Sequence, residues 1–416
     1  MPAIDRAPHS LYLHVPFCVS KCPYCDFNSH VGLEGLFESY SRALVTEIET
    51  WGRELGGPRL DTVFIGGGTP SRVPAAHIAA ALDAVRGSFD LASDAEVTLE
   101  ANPQSAEAVK MEAWLGAGVN RLSLGFQSLD AEALGFLERA HDAEEAIGVF
   151  GLARRAGFEN VSCDLIFGIP GLSTARWEEV LAQVLTLGPD HLSAYELTPE
   201  SGTRLGADVS AGRTEMPDED LVLAQYEVAA RVLQAKGFHR YEVSNWARPG
   251  RECRHNLAYW SGVPYAAAGA GAHAFVFAGA APSWLTRDRR PSALAARQWN
   301  LANPAAYIAA VRQTGRAPAG HEWLGVETAI GDLMMMGLRR DRGVDLAGAS
   351  ALYGVDVAAE VEPVVGRLCE AGMLEGDGGW VRATPRGMMV LNQVVTEFIK
   401  TPGPDRKTMA AVATLG

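Results

Sequence analysis

The chain has 416 residues, of which 48% are hydrophobic and 21% are charged, so it can bury two or three domains or one large barrel with appendages. Its net charge of −14 opposes a phosphate backbone, which argues against nucleic acid as a partner. Six cysteines are too few to staple a secreted protein of this length, and the first ten residues lack an apolar signal-like core. We therefore expect a reducing, cytoplasmic location.

Short β-rich runs alternate with helical patterns over the first 200 residues. The runs that predict strands are 11–15, 61–66, 96–102, 120–128, 160–170 and 190–197. The apolar spacing predicts helices between them at 37–55, 75–89, 106–118, 143–157 and 174–188. Because strands that alternate with helices form right-handed crossovers, the sheet should be parallel. Six such units predict an α/β fold, a partial (β/α)6 TIM-like barrel whose ligands lie at the carboxyl ends of its strands.

A helix over 218–236 and a run over 238–246 complete the first predicted domain, residues 1–246. Residues 247–320 are rich in Gly, Ala and Pro, which predicts an irregular connecting region. Within it, the uncharged stretch 263–285 is long enough to span a bilayer. Because few Leu, Ile or Val residues drive insertion there, we predict a buried loop-and-strand region and no membrane span.

The pattern of apolar and turn residues changes again over residues 321–416, which we predict to be a smaller, winged-helix-like α+β domain. Helical patterns cover 328–340, 357–372 and 387–398, and a hairpin is predicted at 373–384, turning at Asp377 and two glycines. Acidic residues outnumber basic ones in this domain, whereas a DNA-binding wing requires the opposite sign. The domain is expected either to close over the barrel or to present a docking surface.

Cys18, Cys22 and Cys25 stand within eight residues, directly after the first predicted strand. Such spacing suits a loop around a 4Fe-4S cluster in which each thiolate binds one iron. Three ligands leave the fourth iron open to an exogenous amino acid, as in a radical S-adenosylmethionine (SAM) site. Zinc sites usually take cysteines as two pairs, and the other three cysteines of this chain are isolated. The alternative is a chance meeting of three buried thiols in one turn.

A run of three glycines (66–68), followed by Thr69, directly follows the second predicted strand. Without a Cβ, the backbone comes within hydrogen-bonding reach of a ligand. A phosphate-binding loop would need a Lys and a Ser or Thr after the last glycine, and these are missing. The run is therefore either a tight turn or a contact to the charged amino-acid end of SAM.

Four polar residues lie at or just beyond the other predicted strand ends: Glu100, Gln127, Arg139 and Asp164. Carboxylate, amide and guanidinium groups suit ribose hydroxyls and an amino-acid carboxylate. Each residue taken singly is more often a solvated or structural polar group. Four of them on the face that the cysteines occupy favour a shared site.

The segment HNLAYW, just past the predicted barrel, supplies four candidate haem contacts: His255, Asn256, Tyr259 and Trp260. Imidazole is a common ligand of haem iron, and aromatic rings pack on porphyrin faces. The alternative for this segment is a capped turn over an aromatic cluster. Two further aromatic side chains are ambiguous in the same way. Tyr24 either contacts an adenine or belongs to the core, and His14 either reaches the site or completes the first strand.

With these residues in place, the chain resembles the oxygen-independent coproporphyrinogen III oxidase family of radical SAM proteins. The motifs that carry the resemblance are YLHVPFCVSKCPYCDF, GGGTP, EANP, RLSLGFQS, CDLIFGIPG and HNLAYW, in the family's order and over nearly the whole chain. The resemblance implies a partial barrel that holds one 4Fe-4S cluster on Cys18, Cys22 and Cys25, with SAM at the fourth iron. It also implies a SAM-binding set: Tyr12, Tyr24, Gly67, Gly68, Thr69, Glu100, Gln127, Arg139 and Asp164.

Two departures distinguish the chain from the decarboxylating enzymes of this family. Those enzymes have a further cysteine two positions after the third, where this chain has Phe27. They also carry an N-terminal arm, whereas a short segment precedes Tyr12 here. Together with HNLAYW, these features resemble the haem chaperone subfamily, HemW, whose members bind haem and pass it to acceptor proteins such as respiratory enzymes. The resemblance implies that the radical SAM site is retained while the oxidase activity is lost.

We therefore predict a haem chaperone on a radical SAM scaffold, with a 4Fe-4S cluster, SAM and haem as its cofactors. The alternative is an enzyme that oxidatively decarboxylates the propionates of coproporphyrinogen III. A third hypothesis is another radical SAM enzyme that acts on a tetrapyrrole or another small molecule. The residues leave open whether SAM is cleaved, which protein accepts the haem, whether the membrane is contacted peripherally, and the oligomeric state.

Overall fold

The computed structural model describes residues 6–399. Residues 1–5 and 400–416, which the predicted first and last domains include, lie outside the described residues. A twelve-stranded mixed sheet forms the larger part of the structure, and a three-stranded sheet lies in the C-terminal domain. Within the described residues, no helix combines the length and the hydropathy that a membrane crossing requires.

The first half of the chain contributes eight strands: β1 (Ser10–Val15), β2 (Phe17–Cys18), β3 (His30–Val31), β4 (Arg59–Gly67), β5 (Asp90–Ala101), β6 (Arg121–Gln127), β7 (Val161–Phe167) and β8 (His191–Glu196). Six of them pair in parallel in the order β1-β4-β5-β6-β7-β8, with helices in the connections. β2 and β3 form a separate short pair around the cysteine loop. The predicted partial (β/α)6 barrel is confirmed.

Eight helices accompany these strands: α1 (Phe37–Leu55), α2 (Ala75–Ser88), α3 (Ala108–Gly116), α4 (Ala131–Phe136), α5 (Ala143–Ala156), α6 (Thr174–Thr186), α7 (Arg204–Ser210) and α8 (Glu219–Ala235). Local chemistry sets their ends. Asp142 and Glu145 form a capping box at the start of α5, and Gly157 ends it with a φ of 107°. The buried faces of the helices cover the outer side of the sheet.

The inner side of the sheet is polar, and this property positions the site. Successive side chains of a strand point to opposite faces. On β4, Val63 and Ile65 belong to the apolar core, whereas Thr62 hydrogen-bonds other polar side chains on the inner face. The same alternation puts Glu100 and Asp164 on the inner face of their strands. The barrel interior is therefore lined largely with ionisable and hydroxyl groups, with the Phe64 ring among them.

The predicted irregular region at 247–320 is wrong. The run predicted at 238–246 forms β9 (His239–Glu242) and β10 (Asn245–Ala247). The residues after it form β11 (Tyr265–Ala268), β12 (His273–Phe277), β13 (Ala295–Asn300) and β14 (Pro318–Leu324), with helices α9 (Arg254–Trp260) and α10 (Pro304–Thr314). β11 pairs in parallel with β1, and β12 to β14 extend that edge in antiparallel fashion. β11 is mostly alanine, and its alanines, Ala266, Ala267 and Ala268, are all buried. Alanine is depleted in strands generally, so the sequence pattern concealed this strand. The predicted buried loop-and-strand region at 263–285 is confirmed by β11 and β12.

The C-terminal domain has its own apolar core. It comprises α11 (Val326–Gly337), β15 (Val344–Asp345), α12 (Leu346–Tyr353), α13 (Val357–Glu370), β16 (Leu374–Asp377), β17 (Trp380–Ala383), α14 (Pro385–Met389) and α15 (Leu391–Thr396). The hairpin β16-β17 turns through two glycines, which confirms the predicted winged-helix-like arrangement. The helix predicted over 387–398 is interrupted, because Val390 adopts a non-helical backbone (φ −121°, ψ 31°).

Glu47 on α1 fastens β11, β13 and α10 to the barrel. Its buried carboxylate accepts hydrogen bonds from the Gly269 N–H (2.8 Å), Asn300 Nδ2 (2.8 Å) and the Tyr307 hydroxyl (2.7 Å). These donors come from the end of β11, from β13 and from α10. Burial raises the pKa of Glu47 to about 7, although the hydrogen bonds to Gly269, Tyr307 and Asn300 oppose the shift.

The substitution Glu47→Gln tests this contact through pH. Because the pKa is raised in the folded state, stability from this group is complete below about pH 4.5 and falls towards pH 7, by at most about 1.4 kcal/mol per pH unit. The stability difference between wild type and variant should therefore shrink as pH rises through this window and stay level above it. Denaturant midpoints at several pH values measure the difference. Glu49→Gln, exposed on the same helix, is the control, and a pH-independent difference for Glu47→Gln would contradict the assignment.

Candidate functional site

The cysteine loop lies at the carboxyl end of β1. Cys18 ends β2, and a turn closed by the hydrogen bond from the Cys25 N–H to the Cys22 carbonyl (3.2 Å) holds the other two cysteines. All three are free thiols and half-buried. The remaining cysteines lie elsewhere in the structure, two of them fully buried. The local fold thus presents three thiols at the barrel edge where ligands of such folds bind.

A hydrogen-bonded arc joins two of these thiols across the strand ends. Cys18 Sγ lies 3.4 Å from Thr69 Oγ1, which accepts a hydrogen bond from Asn102 Nδ2 (3.1 Å). Asn102 Oδ1 accepts from Arg139 Nη2 (2.8 Å), and Arg139 Nη1 donates to Cys22 Sγ at 3.4 Å. Thr69 and Arg139 were predicted site residues. Asn102 was missed, although it stands in the EANP segment two positions after Glu100.

The three cysteines fit a polynuclear cluster better than a single ion. Among the described residues, no three His, Cys, Asp or Glu side chains converge closely enough to hold one metal ion. A 4Fe-4S cluster does not need such convergence, because each thiolate binds a different iron. Burial raises the pKa of Cys18 and of Cys25, and Arg139 supplies a positive charge beside Cys22. A cavity of about 480 Å³ adjoins the loop and is lined by Cys22, Cys25 and the segment 201–204.

The glycine run allows close approach of β4 to its neighbours. A Cβ on Gly66 would lie 2.9 Å from a carboxylate oxygen of Glu100, and one on Gly68 would lie 2.9 Å from the Phe17 amide nitrogen. Gly67 has a φ of +118° and packs against the His14 ring. Its N–H donates to Glu100 (3.0 Å), and the Gly68 N–H donates to a main-chain carbonyl of β1. The glycine run therefore permits close packing, and the N–H groups of Gly67 and Gly68 both have hydrogen-bond acceptors within the protein.

His14 completes the first strand and also forms part of the site wall. Its Nε2 contacts the Asn28 carbonyl (2.8 Å), and its Nδ1 contacts the Tyr12 hydroxyl (3.0 Å). Burial lowers the pKa of His14 to about 4, so its ring is neutral at pH 7. The Tyr12 hydroxyl is therefore connected to the glycine run through the His14 ring, which packs against Gly67.

Two partly buried carboxylates, Glu100 and Asp164, lie on the inner side of the barrel. Burial, with a contribution from Asp164, raises the pKa of Glu100 to about 8. Burial also raises the pKa of Asp164, against the hydroxyl groups of Ser193, Ser123 and Ser162, which donate to it. Both carboxylates therefore hold a proton more readily than an exposed carboxylate does. Shifted pKa values of this kind are common in ligand-binding sites.

Gln127 adopts an unfavourable backbone conformation at the end of β6, with a φ of 64°. A Cβ on Gly125 would lie 3.0 Å from Gln127 Nε2 and 2.7 Å from Asn102 Oδ1, so these side chains converge over that glycine. Such strain persists where surrounding structure imposes it, often at functional sites. Tyr24 is half-buried, packs against the core beside the cysteine loop, and has a pKa raised by burial.

Apart from Tyr12, which lies between the two ends, the predicted SAM-binding residues therefore gather at one end of the barrel, whereas the predicted haem residues lie at the other. The main-chain N–H groups of Arg254 (3.0 Å) and His255 (3.1 Å) donate to the carboxylate of Glu96, which satisfies the start of α9. His255 Nδ1 lies 2.8 Å from Thr62 Oγ1. Because Glu96 and Thr62 precede the inner-face site residues on β5 and β4, α9 lies at the amino end of the strands.

His255 presents an unpaired imidazole nitrogen in the barrel interior. The Thr62 hydroxyl donates to Ser10 Oγ (2.9 Å), so His255 Nδ1 carries the proton and donates to Thr62. His255 Nε2 then carries a lone pair, and this buried atom has no hydrogen-bond partner among residues 6–399. Burial lowers the pKa of His255 to about 3, which keeps the ring neutral. Its ring centroid lies 5.1 Å from that of Phe64 and 4.8 Å from that of Tyr259.

The four HNLAYW candidates do not share one face of α9. His255 and Tyr259 point into the barrel, where Tyr259 also contacts Tyr265 with a centroid distance of 4.3 Å. Trp260 is buried, and its main chain lies against Gly337 at the end of α11. Asn256 is half-buried. The helix is thus a partition between the barrel and the C-terminal domain.

Comparison with known proteins agrees with this architecture. The model of the Radical SAM superfamily matches residues 12–184, and that of the HemN C-terminal domain matches residues 326–390. Heme chaperone HemW of Mycobacterium tuberculosis is 37% identical over 395 residues, which are 94% of this chain and 95% of that protein. The mitochondrial radical S-adenosyl methionine domain-containing protein 1 of Danio rerio is 36% identical over 95% of this chain and 89% of its own length.

A solved structure shares the fold. Coproporphyrinogen III oxidase (HemN) from Escherichia coli, described as a radical SAM enzyme, superposes with a TM-score of 0.76 over 94% of this chain and 90% of that one, at 22% identity. At that identity the likeness establishes the fold alone. Together with the relatives above, it shows that the chain belongs to the radical SAM superfamily and, within it, to the coproporphyrinogen III oxidase-like family that includes the haem chaperones HemW.

Proposed function

We propose that this protein is a haem chaperone that binds haem and delivers it to acceptor proteins, on a scaffold that also holds a 4Fe-4S cluster and SAM. The names of the relatives that cover most of the chain support the haem cargo. The observation in the structure that carries the proposal is the unpaired, neutral Nε2 of His255. Acceptors with haem sites, such as respiratory enzymes, and a cytoplasmic location fit this function.

In this proposal, Cys18, Cys22 and Cys25 would hold the cluster and leave one iron open to SAM. The bound groups would supply radical SAM chemistry, while the protein supplies orientation and exclusion of water. Arg139 balances the negative charge of the thiolates and keeps the loop against the strand ends through Asn102. Thr69 positions the loop in the same way at Cys18, because its hydroxyl lies within hydrogen-bonding distance of the Cys18 sulfur.

The inner-face residues have the chemistry that SAM requires. Glu100 and Asp164 are the acceptors for ribose hydroxyls, and Arg139 and Gln127 are the donors for the amino-acid carboxylate. Since the N–H groups of Gly67 and Gly68 are engaged, their peptides can meet an ammonium only through carbonyl oxygens, which are the acceptors it needs. Tyr24 provides an aromatic surface for the adenine.

His255 is the residue that would bind the haem iron. Metal-ligating histidines donate their other N–H to a fixed acceptor, and Thr62 occupies that position here. The rings of Tyr12, Phe64 and Tyr259 surround the imidazole and are the apolar surfaces that a porphyrin packs against. In this assignment Trp260 and Asn256 fix α9 against the C-terminal domain.

The second candidate function is oxidative decarboxylation of coproporphyrinogen III. The observation that favours it is the complete set of inner-face polar residues beside the cysteine loop, on a fold shared with coproporphyrinogen III oxidase. Phe27, which replaces the further cysteine of the decarboxylating enzymes, is 42% exposed beside the loop. The chaperone proposal does not require the cluster and SAM to act on the haem.

Replacement of the three cysteines tests the cluster. We expect anaerobically reconstituted Cys18→Ala, Cys22→Ala and Cys25→Ala proteins to lose the four-iron Mössbauer signature, because each removes one thiolate ligand. Cys369→Ala, a half-buried cysteine of the C-terminal domain, should retain it. A four-iron centre that persists in any of the three single variants would remove that residue from the ligand set.

A haem titration distinguishes the two candidate functions. The reconstituted protein should bind haem stoichiometrically with a Soret shift. When reduced and supplied with SAM and coproporphyrinogen III without oxygen, it should release no carbon dioxide at enzymatic turnover. Transfer of the bound haem to an apo-haem protein should then be visible as a second Soret change. Catalytic decarboxylation would overturn the chaperone proposal.

The substitution His255→Asn tests the haem ligand. Asparagine keeps an N–H for Thr62 and removes the Nε2 lone pair, so we expect haem affinity to fall about tenfold or more, which equals about 1.4 kcal/mol or more. The Soret maximum should shift with the loss of the imidazole. His321→Asn, on β14 beside Asp288, is the matched control and should bind haem normally. Unchanged affinity and spectrum in His255→Asn would place the iron ligand elsewhere.

A further inference from the structure

Asp164 stands at the end of a hydrogen-bond chain that crosses the barrel interior. Ser162 Oγ donates to Asp164 Oδ1 (3.3 Å) and lies 2.8 Å from His191 Nδ1. His191 Nε2 lies 2.8 Å from the Tyr241 hydroxyl. Ser162, His191 and Tyr241 are all buried, and no role assigned above uses the last two. The chain joins β7 and β8 to β9, two strands beyond at the edge of the sheet.

The donors of this chain all point towards the carboxylate. When Ser162 donates to Asp164, His191 Nδ1 must carry the proton and donate to Ser162. His191 Nε2 is then bare and accepts the hydrogen bond from Tyr241. Burial lowers the pKa of His191 well below its ordinary value, so the ring carries a single proton.

The opposite tautomer leaves groups unsatisfied. If Nε2 carried the proton, Ser162 would donate to His191 and Asp164 would lose one of its three hydroxyl donors. The Tyr241 hydroxyl proton would also lack an acceptor, since among the described residues His191 is the partner of that hydroxyl. Buried polar groups without partners are rare because each costs about 1–3 kcal/mol. The arrangement directed at Asp164 satisfies every group.

Tyr241 is itself anchored from two sides. Its main-chain carbonyl accepts the N–H of Asp341 (3.1 Å), in the segment that follows α11. Its neighbour Glu242 forms a β-bridge with Arg340 of the same segment. The far end of the chain of hydrogen bonds is therefore held by both the barrel sheet and the C-terminal domain.

We propose that His191 and Tyr241 are positioning residues that fix the orientation of Asp164 for the ribose of SAM. This proposal rests on the SAM-binding role of Asp164 in the proposed function. Ser123 (2.9 and 3.0 Å) and Ser193 (2.7 Å) donate to the carboxylate from β6 and β8, and His191 orients the third donor, Ser162. With three hydroxyl donors directed at it, the carboxylate turns its remaining acceptor positions towards the site.

The test is the SAM affinity of the anaerobically reconstituted protein. His191→Leu removes both hydrogen bonds, so we expect the dissociation constant to rise about tenfold. His191→Asn retains an N–H at the Nδ1 position and should stay within about threefold of wild type. Tyr241→Phe, which removes one oxygen atom, should weaken SAM about threefold. Tyr353→Phe, a buried tyrosine whose hydroxyl bonds the Gly262 carbonyl (3.0 Å), is the matched control and should bind normally.

A second measurement separates positioning from damage to the fold. The electron paramagnetic resonance spectrum of the reduced cluster changes when SAM binds. In Tyr241→Phe and His191→Leu we expect the same final spectrum, reached at higher SAM concentration, with unchanged iron content. Wild-type affinity in both variants overturns the proposal, and so does an equal loss in His191→Asn and His191→Leu. If His191→Leu does not fold, Tyr241→Phe decides.

Asp164→Asn distinguishes this proposal from the function on which it rests. If Asp164→Asn weakens SAM while Tyr241→Phe and His191→Leu do not, the positioning role alone is wrong. If Asp164→Asn leaves SAM affinity unchanged, Asp164 does not bind SAM. The positioning role of His191 and Tyr241 is then wrong as well. Haem binding in all these variants should equal that of wild type, because His255 lies outside the chain of hydrogen bonds.

Discussion

The site depends on the need to hold three thiols against the open end of a parallel barrel. The thiols lie on a loop of their own, and two short strands are its whole regular structure. The arc through Thr69, Asn102 and Arg139 joins this loop to the ends of β4 and β5 and to the turn after α4. Because parallel strands end together, three side chains distant in sequence can reach this loop, which is also held by a hydrogen bond from the Leu205 N–H to the Pro23 carbonyl (2.8 Å). The guanidinium also offsets the negative charge that deprotonated thiols would bring.

The polar barrel interior connects the two ends of the molecule. Tyr12 lies between them: its ring faces Phe64 and His255, and its hydroxyl meets His14, which packs against Gly67. Interiors of complete barrels are usually filled with branched apolar residues. Here hydroxyls, imidazoles and carboxylates take their place, and many of them hydrogen-bond one another. Among the described residues, Nε2 of His255 is one of several buried polar atoms without a hydrogen-bond partner, together with Thr98 Oγ1 and Arg121 Nε.

Much of this fold was predictable from sequence because the information is local. The alternation of strand and helix patterns gives the barrel, and the cysteine spacing gives the metal loop. β13 and β14 were missed because the region around them is rich in Gly, Ala and Pro, a composition typical of irregular structure. Asn102 was missed because an Asn before Pro is typical of a turn. His191 and Tyr241 are 50 residues apart, and no local sequence pattern predicts the hydrogen bond between their side chains.

The C-terminal domain contacts the barrel at two places that bear on both candidate sites. Arg340 Nη1 donates to Ser261 Oγ (2.9 Å) just after α9, the helix that carries His255. The same residue bridges to Glu242 on β9, next to Tyr241. Tyr241 in turn packs against Cys253, the residue that precedes α9. Arg340 therefore fastens the helix that carries His255 and the strand that carries Tyr241 to one segment of the C-terminal domain.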